Sequence, residues 1–374
     1  METRKLKITL GVLSMYLAAS GSVAHAWKSA PLMAHTNIMH AALDRVDKAQ
    51  YPDLGDFKIK LLEGANDESW HTVDSLNGGK PEDIWLGVRT DTGGGVLGNY
   101  AAFDLEHGYR RIGSICHLTA DQAVPTHAAN IKHGLFDLFE TATGDYSGTL
   151  NIVSSDAGSK EPYTYYQATQ DDTRRQLGSW RNPKNNRPYW VEDPDSGIKP
   201  GEDSTFGVFG SYGAGEDSFA VTHSNARIQA IVDGQFQSAA LATYNVIISA
   251  SKRLPPLVSE LAAVNNGGSI AISFNAGDNR SDKVTYQAEV YRNTVLLGAI
   301  ADGEVRLVRN GPHGLSMGGS AALVWDGTVK GSKLPAGNYT VQVKLTDSDN
   351  NTTPDSVNVD KSGFNNTKVD VSLN

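Results

Sequence analysis

Apolar positions recur at helical spacing along the first two thirds of the chain and then switch to alternation. In MAHTNIMHAALDRVDKA, residues 33–49, Ile38, Ala42 and Val46 share one face with Met39 and Leu43 beside them, the pattern of an amphipathic helix. GYRRIGSICHLTADQAV, 108–124, predicts a second helix, stopped by Pro125, whose ring cannot continue the backbone ladder. IKHGLFDLFETA, 131–142, predicts a third through Ile131, Leu135 and Leu138. RIQAIVDGQFQSAALATYNVIISASKR predicts a long fourth, ending before Pro255-Pro256. Residues 141–222, rich in Gly, Asp, Asn, Pro and aromatics, read as a long loop that walls or covers a site. GGGVLGN reads as a turn.

Beyond Pro255-Pro256 the period becomes two. Val284, Tyr286, Ala288 and Val290 alternate with polar neighbours, as do Tyr339, Val341, Val343 and Leu345, with Gly-, Asn- and Asp-rich turns between. Residues 257–374 are therefore expected to form a small antiparallel β-sandwich. Its stretch VWDGTVKGSKLPAGNYTVQVKLTD resembles strands of bacterial immunoglobulin-like appendages. Asp347, Asp349 and Asp355 read as turn carboxylates.

The extreme N-terminus follows neither period. Arg4, Lys5 and Lys7 precede the apolar run ITLGVLSMYLAA, and Ala24-His25-Ala26 is a small-residue cleavage site. Residues 1–26 read as a secretory signal, too short in its apolar part to span a bilayer. A mature chain beginning at Trp27 is expected outside the cytoplasm, secreted or periplasmic. The 374-residue chain carries a formal charge of −9; removing residues 1–26 takes away three bases and one acid and leaves −11. That balance disfavours tracking of nucleic acid by bulk charge. With Cys116 the single cysteine, no intrachain disulfide can form.

The richest chemistry lies in HLTADQAVPTHAANIKHGLFD, residues 117–137. His117 and Asp121 are one helical turn apart, and His133 and Asp137 repeat the spacing, with His127 in the loop after Pro125. Imidazole nitrogen and carboxylate oxygen form a suitable ligand set for zinc. Asp67 and His71, again four apart, offer to complete a first site with His117 and Asp121. A free α-amine and carbonyl at Trp27 can close a chelate ring on another ion, with His35 as a side-chain ligand and Asp121 as a bridge.

In these segments the chain resembles the secreted zinc-dependent phospholipase C family, related in fold to the S1/P1-type nucleases. The resemblance rests on Trp27, His35, Asp67 and H-x-x-x-D-x-x-x-P-x-H followed by H-x-x-x-D, and spans residues 27–253. It implies a mainly α-helical catalytic domain, followed at 257–374 by the sandwich as an accessory domain. It also implies three zinc ions: one on Asp67, His71, His117 and Asp121; one on His127, His133 and Asp137; one on Trp27, His35 and the shared Asp121. Asp67 is expected to act as general base in hydrolysis of a phosphodiester. The implied substrate is a phospholipid at a membrane surface, cleaved to diacylglycerol and a phosphorylated headgroup. A single-strand nuclease or 3′-nucleotidase on the same metals is the alternative; Tyr163, Tyr165, Tyr166, Trp180, Tyr189 and Trp190 are expected first to pack the loop down, and otherwise to stack on bases or cradle a quaternary ammonium. A surface-binding protein with structural zinc is a third. The sandwich is expected to aid attachment to membrane, cell surface or polymer.

Overall fold

The structure, a computed structural model, describes residues 34–67, 80–87, 94–128, 148–154, 157–181, 186, 226–354 and 367–374. Its helical part contains α1 (Ala34–Asp44), α2 (Pro52–Asp56), α3 (Lys58–Ala65), α4 (Pro81–Leu86), α5 (Val96–Ala101), α6 (Leu105–Asp121), α7 (Pro125–Ala128), α8 (Thr164–Leu177) and α9 (Ala226–Arg253). On α1, Ile38, Met39, Ala42 and Leu43 are buried, the face that the periodicity marks. Helix α6 is buried along most of its length, from Leu105 through Ile112 and Ile115 to Asp121. It is the central rod, packed by α3 and α9 and touched by α4, α5 and α8.

The approach of α3 to α6 depends on two glycines. A Cβ on Gly64 would stand 1.9 Å from the Arg110 carbonyl oxygen, and one on Gly113 would stand 2.3 Å from that of Leu61. Both contacts lie far inside van der Waals range, so the crossing tolerates no side chain at either position. This closeness brings the last turn of α3 against the part of α6 that carries the site.

Two expectations are corrected. GGGVLGN is more than a turn: Val96 and the residues after it form α5, entered through Gly94 at φ 83° and Gly95. The 141–222 stretch is not a plain loop, because Thr164–Leu177 is helical. Tyr165 and Trp180 are buried in the helical core, so these two aromatics serve packing rather than a stacking surface.

After α9 ends at Arg253, the chain turns through the two prolines into β1 (Leu257–Asn265). Then follow β2 (Ile270–Asp278), β3 (Lys283–Arg292), β4 (Val295–Arg306), β5 (Val308–Arg309), β6 (Met317–Trp325), the short β7 (Thr328–Val329) and β8 (Ser332–Lys333), β9 (Gly337–Thr346) and β10 (Lys368–Leu373). Two four-stranded antiparallel sheets result, in orders β1-β2-β6-β5 and β10-β9-β3-β4, and β7 pairs with β8 as a separate two-stranded ribbon. Ile270, Ile272 and Phe274 of one sheet and Val341, Val343 and Leu345 of the other bury into a common core. Tyr339, Val341, Val343 and Leu345 all face inward, as their alternation predicts.

The helical and β parts are not joined by a bare linker. Leu257 and Leu315 of the β part belong to the helical core. Beside them Asp53 of α2, fully buried, accepts from Tyr109 Oη of α6 at 2.8 Å, from Ser251 Oγ of α9 at 2.9 Å and from Asn279 Nδ2 after β2 at 3.0 Å. At the rim, Asp56 takes hydrogen bonds from Arg309 and Ser316, each at 2.7 Å.

Candidate metal centre

Three buried side chains from two helices converge. His35 lies in the first turn of α1, and His117 and Asp121 lie one turn apart in the last stretch of α6. Their donor atoms all fall within 4.8 Å of one another. The Asp121 carboxylate spans the two rings: Oδ1 is 3.1 Å from His35 Nε2, and Oδ2 is 3.5 Å from His117 Nε2. The imidazoles stack with centroids 4.1 Å apart and planes 24° from parallel.

The other face of His117 fixes its chemistry. Its Nδ1 is 2.8 Å from the backbone carbonyl of Ala65, an oxygen that can only accept, so Nδ1 carries the proton. Nε2 is then the ring atom turned to the carboxylate. A bare nitrogen lone pair facing a carboxylate in a buried place is repulsive unless positive charge stands between them. What relieves the repulsion is a proton, on the ring or on the carboxyl, or a metal ion.

The distances suit a metal. Two donors on one tetrahedral zinc, each about 2.0–2.1 Å from the ion, lie roughly 3.3 Å apart. Both His–Asp separations bracket that value, and a carbonyl holding the remote ring N–H is the usual outer support of a ligating histidine. The group thus has the donors and the spacing to hold a metal ion.

The remaining expected ligands fall in two classes. Trp27, His71, His133 and Asp137 lie outside the described residues. Asp67 and His127 lie within them, and neither joins the three converging side chains. Asp67 sits just past the end of α3 rather than within a helix, and its Oδ2 accepts from Arg110 Nη2 at 2.7 Å. His127 is on α7, half-buried.

The turn from Asp121 to His127 is gripped from outside. Gln170 Nε2 of α8 donates to Gln122 Oε1 at 2.9 Å. Gln235 of α9 donates to the Ala123 carbonyl and, at 3.2 Å, to Thr173 Oγ1. Arg174 Nε donates to the Ala128 carbonyl. These supporting groups, with Ala65 and Arg110, escape a reading of motifs. Arg110 alone leaves a trace, since 110, 114, 117 and 121 share a helical face. Nearby, Cys116 is buried and its thiol is pushed far up by desolvation, which leaves it an apolar packing group.

No protein-family model and no curated protein matches the chain. Among solved structures, β-glucosidase 3B from Thermotoga neapolitana in complex with glycerol is similar over 32% of this chain, at 14% identity and a TM-score of 0.22; the chain covers 16% of that enzyme. Its complex with α-D-glucose gives 31%, 14% and 0.21, with 15% of the enzyme covered. Alkylpurine DNA glycosylase AlkC from Pseudomonas fluorescens, bound to DNA containing an abasic site analogue, overlaps 92% of this chain and 97% of its own at 10% identity and a TM-score of 0.19. Likenesses so shallow carry no argument about the site. Among the described residues, no helix is long and apolar enough to cross a membrane.

Proposed function

We propose that the protein is a secreted zinc-dependent phosphodiesterase, of phospholipase C type, that cleaves glycerophospholipids to diacylglycerol and a phosphorylated headgroup. The observation that carries this reading is the Asp121 carboxylate set between two imidazoles, one oxygen to each. Such a carboxylate suits a bridge between two ions, His117 serving one and His35 the other.

Zinc bound there would neutralise charge on the phosphoryl oxygens and bring the pKa of a water towards neutrality. The chain's own residues do the rest. Ala65 holds the proton of His117 on Nδ1 and so keeps Nε2 available for coordination. Burial of His35, His117 and Asp121 excludes bulk water and strengthens each electrostatic contact. In this reading Asp67, beyond the C-terminal end of α3, takes a proton from the attacking water. Asp67 is also a ligand, and with Trp27, His71, His127, His133 and Asp137 it completes a three-zinc set, with cleavage before Trp27 creating the amine ligand. The helical part would then be phospholipase C/P1-like, and the β part an immunoglobulin-like module that aids attachment to a surface.

The test offers zinc-loaded protein phosphatidylcholine, phosphatidylethanolamine and single-stranded DNA, each with and without a chelator. Chelator-sensitive release of phosphorylated headgroup supports the proposal. Cleavage of DNA alone replaces it with the nuclease. Stoichiometric zinc with no hydrolysis of any substrate makes the metal structural.

A further inference from the structure

Asp67 is turned to a guanidinium rather than to the imidazoles. Its partner Arg110 stands seven residues before His117, on the same face of α6. Asp67 itself follows by two residues Ala65, the residue whose carbonyl holds the His117 ring. Asp67 is thus tied through the chain to the residue that holds His117, without joining the three converging side chains. Burial divides unequally across the pair: the Asp67 side chain is 16% exposed and that of Arg110 is 42% exposed. The acid is thus the more enclosed partner and the base the more exposed one.

A carboxylate largely removed from water needs a positive partner. Arg110 meets that need. The charge of Asp67 also reaches Arg111, where it opposes the lowering caused by burial and by Arg110. We propose that Arg110 is a placeholder cation: Asp67 pairs with it while the site holds no metal and exchanges it for a metal ion when one binds beside His117 and Asp121. The proposal rests on the reading of the buried group as a zinc centre with Asp67 among its ligands. Zinc affinity is then lowered by the work of parting the ion pair, and removing the guanidinium tightens binding.

Zinc is titrated into metal-stripped protein beginning at Trp27, in competition with a chromophoric chelator. Circular dichroism establishes that each variant is folded. R110M and R110Q are expected to bind zinc about two- to fivefold more tightly than wild type, the scale of a half-exposed ion pair. On a D67N background the same substitutions are expected to change affinity by less than about twofold, since the interaction is already gone. Unchanged or weaker binding in both Arg110 variants overturns the exchange and makes Arg110 a support of the site instead. Equal tightening with and without Asp67 also overturns it. H117A separates the two levels: if it and wild type take up the same zinc, or neither takes up any, the metal reading fails and the exchange falls with it.

Discussion

At Asp121 a single carboxylate faces two imidazoles, and each ring is held by a different constraint. His117 is locked by the Ala65 carbonyl, while His35 rides on the first turn of α1. Replacing His117 by alanine removes a ring nitrogen, and replacing Asp121 by asparagine removes the charge shared by both sides. Each variant is expected to weaken zinc binding by more than about 100-fold, beyond the usual effect of losing an outer support. Zinc per chain after dialysis against a competing chelator checks this; wild-type content in H117A and D121N would remove the metal centre from consideration. Part of this site was legible in residue spacing. His117 and Asp121 announce themselves four apart on a helix, but nothing in spacing alone joins them to His35, which entered as a side-chain ligand beside the Trp27 chelate. The Asp67–Arg110 pair was not legible, because the motif reading considered ligands and not their counter-ions.

Elements position these residues through backbone contact as much as through side chains. The α3–α6 crossing is close enough that G113A must push Leu61 away, at a cost of about 1–3 kcal/mol. A fall in melting temperature measures it, and a melting temperature equal to wild type would mean that α3 shifts freely on α6. The turn after Asp121 depends on partners from α8 and α9. Q235A is expected to leave the Ala123 carbonyl short of its donor, destabilising the fold by about 1–3 kcal/mol. Denaturant unfolding reads that loss, and an unchanged midpoint would show the grip to be dispensable. Helices α1, α6 and α9 were readable from apolar period, because each buries a continuous face. Helix α8 was not: TYYQATQDDTRRQL is polar on most sides. It is held by buried amide and hydroxyl contacts such as Gln170 to Gln122, and the composition of its flanks pointed to a loop.

For the whole molecule, the decisive feature is a junction of the helical and β parts with carboxylates inside it. Burial pushes Asp53 upward, against the donors from Asn279, Ser251 and Tyr109 that favour its charge. Asp278, at the end of β2, is pushed up to about 6, chiefly by burial, although the Ser281 and Arg280 amides oppose it. A carboxyl raised in the folded state binds its proton more tightly there than in the unfolded chain. Its stabilising protonation is fully present below the unfolded value and is lost as pH rises through about 6. The ionised form then carries a penalty on the order of 3 kcal/mol. D278N, which cannot ionise, is expected to gain stability relative to wild type as pH rises from about 4 to about 6, with a level difference above that. Melting of both metal-stripped proteins across that range tests it, and parallel curves would refute it. The boundary between helical and β parts was readable at Pro255-Pro256. Their union was not, since Asp53 and Asn279 are 226 positions apart and neither belongs to a recognisable motif.

The Asp53 junction has a mechanical consequence. Asn279, Ser251 and Tyr109 meet on one carboxylate, so a pull on the β layer is delivered directly to α6 and α9. If that layer grips a surface, the grip is rigidly coupled to the rod bearing His117 and Asp121. The β part then acts less as a tether than as the base plate that sets how the centre is aimed.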